Sequence, residues 1–300
     1  VSGAQEARGS LGSRFQYGIF QTVVRCRLVP LARVLLVAVV LYYVFVPRIR
    51  QRCMPYLSRR FPGAGRVRMF AHAFRLYLEF GCLLLDRMVA GTTGKFPVMA
   101  TEPLLQKRLR EAAECPRGCI ILSAHLGAWQ MGLAGLEQLD RPVHVVQWRQ
   151  PQDAGRHYFE YGKGRPFAVI DAADPVGGLV EAAAALRRSE IVCLMGDRLA
   201  VGERTAQGVD VPFLGGMIRI PVNAFALASL TGAALLMLFS VREKGRTRAF
   251  LAEHLNVPSG LPRRDPAVFL PYALRFARGM ERVVERYPHQ FFNFYDMWAT

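Results

Sequence analysis

Two short polar runs carry the side chains that proton-transfer chemistry requires, Ser123-Ala-His125 and Gly196-Asp197-Arg198. An imidazole accepts and returns a proton near neutral pH. A guanidinium holds a phosphate or carboxylate through its planar fork, and Asp197 can position Arg198 or an acceptor hydroxyl. Each run follows an apolar stretch of strand-like composition, Cys119–Ala124 and Ile191–Met195. In an open parallel sheet, reactive residues gather beyond the carboxyl ends of the strands. The two runs are therefore expected on one edge of a sheet, with base, carboxylate and guanidinium in one cleft. Arg149, after the stretch Val143–Trp148, and Arg204, downstream of Arg198, are further candidates for holding an anionic substrate.

Other chemistries find less support. No G-x-S-x-G elbow is present, which argues against a serine esterase. His72, His144, His157, His254 and His289 are scattered without metal-ligand spacing, so no metal is expected. The six cysteines form no C-x-x-C pair and read as free thiols in a reducing compartment.

The elements that must position these residues follow from the hydrophobic pattern. From about residue 118, short strands (Cys119–Ala124, Val143–Trp148, Phe167–Ile170, Ile191–Met195) alternate with helical stretches near 127–139, 152–160 and 176–189. Such alternation predicts an α/β fold with a largely parallel mixed sheet flanked by helices. Asp210–Phe213, a helix near 221–231, strands Ala233–Val241 and Thr247–His254 and a last helix near 266–287 complete the body. Pro221 is expected at the first turn of its helix. The C-terminal aromatics Phe291, Phe292, Phe294, Tyr295 and Trp298 read as core packing, as the lining of an apolar channel or as a surface that touches lipid.

The first third has a different texture. Of 39 basic residues, residues 1–110 hold 18 against only 4 acids, while residues 111–300 hold 21 against 19. Residues 28–46 read LVPLARVLLVAVVLYYVFV, with a continuous apolar run of 13 residues from Val34 to Val46. That run is short for a clean bilayer span and suits an interfacial or re-entrant segment. Residues 66–90 are expected to form a second, amphipathic helix. Two domains are therefore expected: a basic helical membrane-associating region over 1–110 and an α/β domain over 111–300. A basic block attracts anionic lipid, nucleic acid or an acidic protein. Interleaving with an apolar run favours anionic membrane lipid, so no nucleic-acid partner is expected. The larger arginine count follows the apolar run, which orients the body to the cytoplasmic face of a bacterial inner membrane. The run lies too far in for a secretory signal and no A-x-A site follows it. The chain opens on Val, as it would if translation began upstream or at an unusual codon.

The segment ILSAHLGAWQ resembles the first block of the lysophospholipid acyltransferase superfamily, and is closest to the bacterial lipid A late (lauroyl or myristoyl) acyltransferases. LYYVFVPRIR and FRLYLEFGCLLLDR are similar to the membrane-proximal helices of that branch. MGDR with VDVPFLGG resembles its second and third blocks, and Pro221 within IRIPVNAFALASLTGAALL its fourth. QFFNFYDMW is similar to the C-terminal end of some relatives, so the resemblance covers roughly residues 15–298.

This resemblance implies a fatty acyl transfer from an acyl-carrier-protein or coenzyme A thioester to a lipid hydroxyl or amine. No cofactor is implied beyond that co-substrate. His125 would be the general base, and the Gly127 and Ala128 N–H groups would serve as oxyanion donors. Gln130 stands where the family carries an acid. A glutamine can accept a hydrogen bond from the imidazole but supplies no charge. Either a neutral orienting group suffices in this branch, or another carboxylate, Asp197 or Asp296, takes over, or the protein is slow or a catalytically silent lipid-binding or scaffold relative. Asn223 stands where many relatives have Gly, a position expected to need a positive φ.

Overall fold

A computed structural model describes residues 14–94, 99–133, 136, 139–147, 167–172, 175–198, 207–262 and 264–299. The apolar stretches pair into one seven-stranded sheet built from β1 (Met99–Thr101), β2 (Cys119–Ser123), β3 (Val143–Gln147), β4 (Ala168–Asp171), β5 (Ile191–Met195), β8 (Ala234–Glu243) and β9 (Arg246–Leu255). The order is β1-β9-β8-β2-β5-β3-β4. β2 lies at the centre, parallel to β5 on one side and β8 on the other. All five of its residues are buried, as a strand covered on both faces requires. β8 and β9 are antiparallel, joined at Lys244-Gly245, both with positive φ as a tight hairpin demands. The expected mixed, mostly parallel sheet is thus observed. β6 (Gly208–Phe213) and β7 (Gly216–Pro221) form a separate antiparallel hairpin.

Among the described residues, five helices precede the sheet: α1 (Arg14–Arg25), α2 (Val29–Phe45), α3 (Pro47–Gln51), α4 (Met54–Arg60) and α5 (Arg66–Thr93). α5 stops where Gly94 takes φ +67°, a left-handed cap that glycine adopts without penalty. α2 buries Ala32, Leu36, Val40 and Val44, a four-residue spacing that makes one stripe. Leu36 seats on Gly81 of α5, where an added Cβ would lie 2.6 Å from Leu36 Cδ1. The opposite face of α2 is apolar too, yet uncovered: Val34 is 66% exposed, Tyr42 64% and Phe45 63%. No helix among the described residues is long and apolar enough to cross a membrane.

β1 lies before residue 111 and α6 (Pro103–Ala113) runs across it, and β1 pairs with β9, so the sheet takes in residues placed with the helical region from sequence. The helix expected near 127–139 is α7 (Trp129–Leu133) over the described residues, and the one expected near 152–160 lies outside them. α8 (Pro175–Arg187) matches its expectation. Pro221 is not in a first helical turn; it closes β7, and α9 (Asn223–Thr231) begins two residues later. Asn223 does not have the positive φ expected of it, because it is the first residue of that helix. α10 (Leu270–Arg286) packs behind the hairpin, with one turn of tighter helix on each side, Pro266–Phe269 and Pro288–Gln290.

Candidate active site

Register places the two polar runs side by side. Ser123 at the end of β2 pairs with Met195 at the end of β5, and His125 and Asp197 each lie two residues further on. His125 Nδ1 donates to Asp197 at 2.9 Å from Oδ1 and 3.2 Å from Oδ2. The Asp197 side chain is 1% exposed while that of His125 is 33% exposed. With Nδ1 facing the buried carboxylate, Nε2 carries the lone pair and is the nitrogen available to a substrate proton. Burial alone drives the Asp197 carboxyl upward. The charge and hydrogen bond of His125, with Arg198 beside them, outweigh burial and hold it below the ordinary carboxylate range.

Three consecutive residues after β2 are zippered to the C-terminal segment. Gly127 N–H donates to the Gln290 carbonyl at 2.7 Å, and Phe292 N–H donates to the His125 carbonyl at 3.1 Å. Leu126 and Phe291 form the antiparallel bridge between them. Ala128 N–H donates to the Ser240 carbonyl at 2.7 Å. The Gly127 and Ala128 N–H groups, expected to receive an oxyanion, are therefore engaged by carbonyls, and their work is to hold the loop. Gly127 has φ +58°, and a Cβ there would meet the Ser240 carbonyl oxygen at 2.2 Å. Only glycine allows this close approach.

Arg198 is tied into the same assembly. Its Nη2 donates to the Phe292 carbonyl at 2.7 Å, its Nε lies 3.5 Å from Asp197 Oδ2, and its guanidinium sits 5.3 Å over the Tyr295 ring. Gln290 clamps the backbone of Arg242 at the end of β8 through both its amide atoms, at 2.8 and 2.6 Å. Arg242 in turn reaches Asp86 of α5 at 2.7 Å. The C-terminal aromatics pack rather than line an open channel: Phe291 is edge-on to Tyr56, Phe294 stacks on Tyr77, and Trp298 stacks on Phe213 of the hairpin. Beside the loop, Ser123, Trp129, Leu133, Leu136, Met195 and Leu238 help to line an apolar pocket.

The structure brings together His125, Asp197 and Arg198. Gln130 is buried in α7, while the carboxylate bonded to Nδ1 is Asp197. The second substitute weighed from sequence, Asp296, accepts the Trp298 N–H at 3.0 Å and serves a turn. Arg149 and Arg204 lie outside the described residues. Sequence reasoning missed Gln290 and Ser240 and considered only the ring of Phe292; all three contribute partly or wholly through backbone carbonyls.

Residues 105–300 match the family model of the bacterial lipid A biosynthesis acyltransferases. The chain belongs to that family. The matched stretch runs from α6 to the C-terminal segment, so it takes in the dyad and the segment that holds it. Among curated proteins, the phosphatidylinositol mannoside acyltransferase of Mycobacterium tuberculosis (strain ATCC 25618 / H37Rv) is 32% identical over 124 residues, covering 40% of this chain and 37% of that one. Its namesake from Mycolicibacterium smegmatis is 32% identical over 132 residues, covering 42% and 41%. The chain thus spans about two fifths of the length of the curated relatives it matches.

Proposed function

We propose that this protein transfers a fatty acyl chain from an acyl-carrier-protein or coenzyme A thioester to a hydroxyl or amine of a membrane lipid, with His125 as general base. The observation that carries the reading is the His125–Asp197 pair in a member of this family: a buried carboxylate on Nδ1 and an accessible Nε2. In the reaction, Nε2 removes the acceptor proton as its oxygen or nitrogen attacks the thioester carbonyl. The tetrahedral intermediate collapses, the carbon–sulfur bond breaks, and the imidazolium returns the proton to the departing thiolate. Asp197 holds the ring and stabilises the imidazolium, and such assistance is worth roughly 10²–10⁴-fold. The apolar pocket beside Ser123 and Trp129 holds about 30 Å³, so it would have to widen to take an acyl chain.

The N-terminal layer supports a membrane partner. Between Arg14 and Leu78 there are twelve arginines and no acid. The uncovered apolar face of α2 lies within that stretch. α2 is seventeen residues long, about 26 Å at 1.5 Å per residue, and one side is packed on α5. It therefore suits lying in the headgroup region of an anionic leaflet better than spanning it. The inner-membrane, cytoplasmic-face placement is part of this proposal.

The test supplies purified protein in mixed micelles with labelled acyl-carrier-protein and coenzyme A donors and a total lipid extract. A labelled lipid is expected, and its structure identifies the acceptor. No product from either donor would contradict the reading.

A silent, lipid-binding relative is the second reading, motivated by Gln130. Asp197 weakens it, since the charge that position 130 lacks is supplied from β5. Gln130→Glu is therefore expected to give no gain in transfer rate, whereas a silent relative missing its carboxylate would gain activity from nothing. Arg198→Lys keeps the charge but loses the planar contact with both the Phe292 carbonyl and Tyr295. Losing one charge-assisted hydrogen bond, about 1.5–3 kcal/mol, is expected to lower kcat roughly 10–100-fold with acceptor KM unchanged. A direct role in holding the acceptor would raise KM instead.

A further inference from the structure

A second cluster of titratable side chains lies outside the active site, where α4, α5 and the turn Pro288–Gln290 meet. His72 Nδ1 and His289 Nε2 are 3.0 Å apart, a contact that holds one proton between two rings. Phe61 stacks on His72 with ring centres 3.6 Å apart and planes 5° from parallel. Arg68, His72 and Arg75 are spaced four and three residues apart, so they share one face of α5. Arg60 reaches over Phe61 from α4, and the Val284 and Glu285 carbonyls of α10 hold it there.

The charges facing this pair are all of one sign. Burial lowers the His72 pKa, and Arg75, Arg60 and Arg68 lower it further. Burial and the neighbouring His72, Arg75 and Arg60 bring His289 down to about 4. The next acid along α5, Glu79, lies one turn beyond Arg75 and faces Arg242 at 3.8 Å. Among the described residues, neither Arg68 nor Arg75 is within ion-pair distance of a carboxylate, and both are exposed. Val67, 84% exposed, adjoins Arg68.

We propose that Arg68, His72 and Arg75, backed by His289, bind the phosphate of an anionic lipid headgroup. This rests on the reading of the protein as one that works at a membrane surface. The two guanidiniums supply charge and planar donors for phosphate oxygens. His72 supplies Nε2, the ring nitrogen not facing His289. On binding, one proton is taken up from solvent at His72: Nε2–H donates to the phosphate while Nδ1–H donates to His289 Nε2. The anion offsets the arginines that otherwise oppose this proton. Val67 and the apolar face of α2 favour a headgroup anchored in a bilayer over a free ion. His289 directly precedes Gln290, whose carbonyl holds Gly127, so an occupied site steadies the segment that carries the catalytic loop.

The test follows the histidine ring resonances of the full chain in uncharged maltoside micelles during pH titration, and involves no turnover. Failure here is therefore distinct from failure of the acyl-transfer reading. Dihexanoyl phosphatidylglycerol is expected to raise the His72 midpoint by about one pH unit or more. Arg68→Gln/Arg75→Gln is expected to abolish the shift. Arg25→Gln/Arg27→Gln removes equal charge from the same layer and is expected to retain it. No shift in the wild type, or an undiminished shift in Arg68→Gln/Arg75→Gln, overturns the site. An equal shift with inorganic phosphate at the same concentration overturns its assignment to a lipid.

Discussion

Asp197→Asn is expected to reduce kcat for acyl transfer by roughly 10²–10⁴-fold, no more than loss of the base itself, with the equivalent change in a Ser-His-Asp triad at the upper end of that range. The substitution is isosteric and the amide oxygen can still accept from Nδ1–H. What is lost is the negative charge facing an imidazolium in a fully enclosed position, 1% exposed. Low dielectric magnifies that loss. The amide also offers N–H donors to Nδ1, which would turn the ring to the wrong tautomer. The thermal midpoint at neutral pH should also fall, because the fold favours the ionised carboxylate through His125 and Arg198, and the amide lacks that charge. Steady-state kinetics with a melting curve checks both halves. A loss smaller than tenfold would mean that another group, with Gln130 the first to examine, orients His125.

Gly127→Ala is expected to have the second largest effect, this time on stability and activity together. A left-handed φ costs a residue with a Cβ about 1–2 kcal/mol. The added carbon would also sit 2.2 Å from the Ser240 carbonyl oxygen and 2.9 Å from Val241 Cα. Backbone cannot rotate away as a side chain can. Moving the loop breaks the bonds from Gly127 to Gln290 and from Ala128 to Ser240, each worth about 1 kcal/mol. The total is about 3–4 kcal/mol, or a fall in melting temperature of roughly 5–10 °C for a domain of this size. Gly215→Ala is the matched control. That glycine has φ +72° with nothing within 4 Å of an added Cβ, so only the conformational penalty applies. If both variants melt alike, the close approach at Gly127 is not what holds the loop.

The stability of the His72–His289 contact also has a sign. His289 has a lowered folded-state pKa, about 4, against about 6.5 unfolded, so the unfolded chain binds the proton first. Its contribution is complete above 6.5 and lost progressively as pH falls from there toward 4. His289→Gln should flatten the melting temperature over that window, as seen in paired melts at pH 7 and 4.5. An unchanged slope would contradict the account of this contact.

Much of the fold was legible because buried parallel strands are written as continuous apolar runs, and Cys119–Ser123 and Ile191–Met195 are such runs. That the two strands are neighbours was not written locally. β3 and β4 intervene in sequence between β2 and β5, and only the sheet order sets His125 beside Asp197. Gln130 drew attention for the acid it lacks, and Asp197 was one of two candidates to supply it. Choosing between them needed a distance. The oxyanion expectation failed because it assumed a helix starting directly after His125. The chain first bridges to Ser240 and Phe291, and α7 begins only at Trp129. Pro221 suited a first helical turn but ends an outer strand, a position proline also tolerates. Asn223, expected at a positive φ, opens a helix, a role asparagine also takes. The C-terminal segment acts through carbonyls, which residue type does not reveal.

The central claim is that Nε2 of His125 is the base of an acyl transfer. Its most direct test compares wild type and His125→Ala in mixed micelles, with labelled thioester donors and a total lipid extract, at matched folding and liposome binding. The account predicts a labelled lipid from the wild type and a loss of roughly 10²–10⁴-fold in the variant. Equal rates of product formation by the two proteins would contradict it.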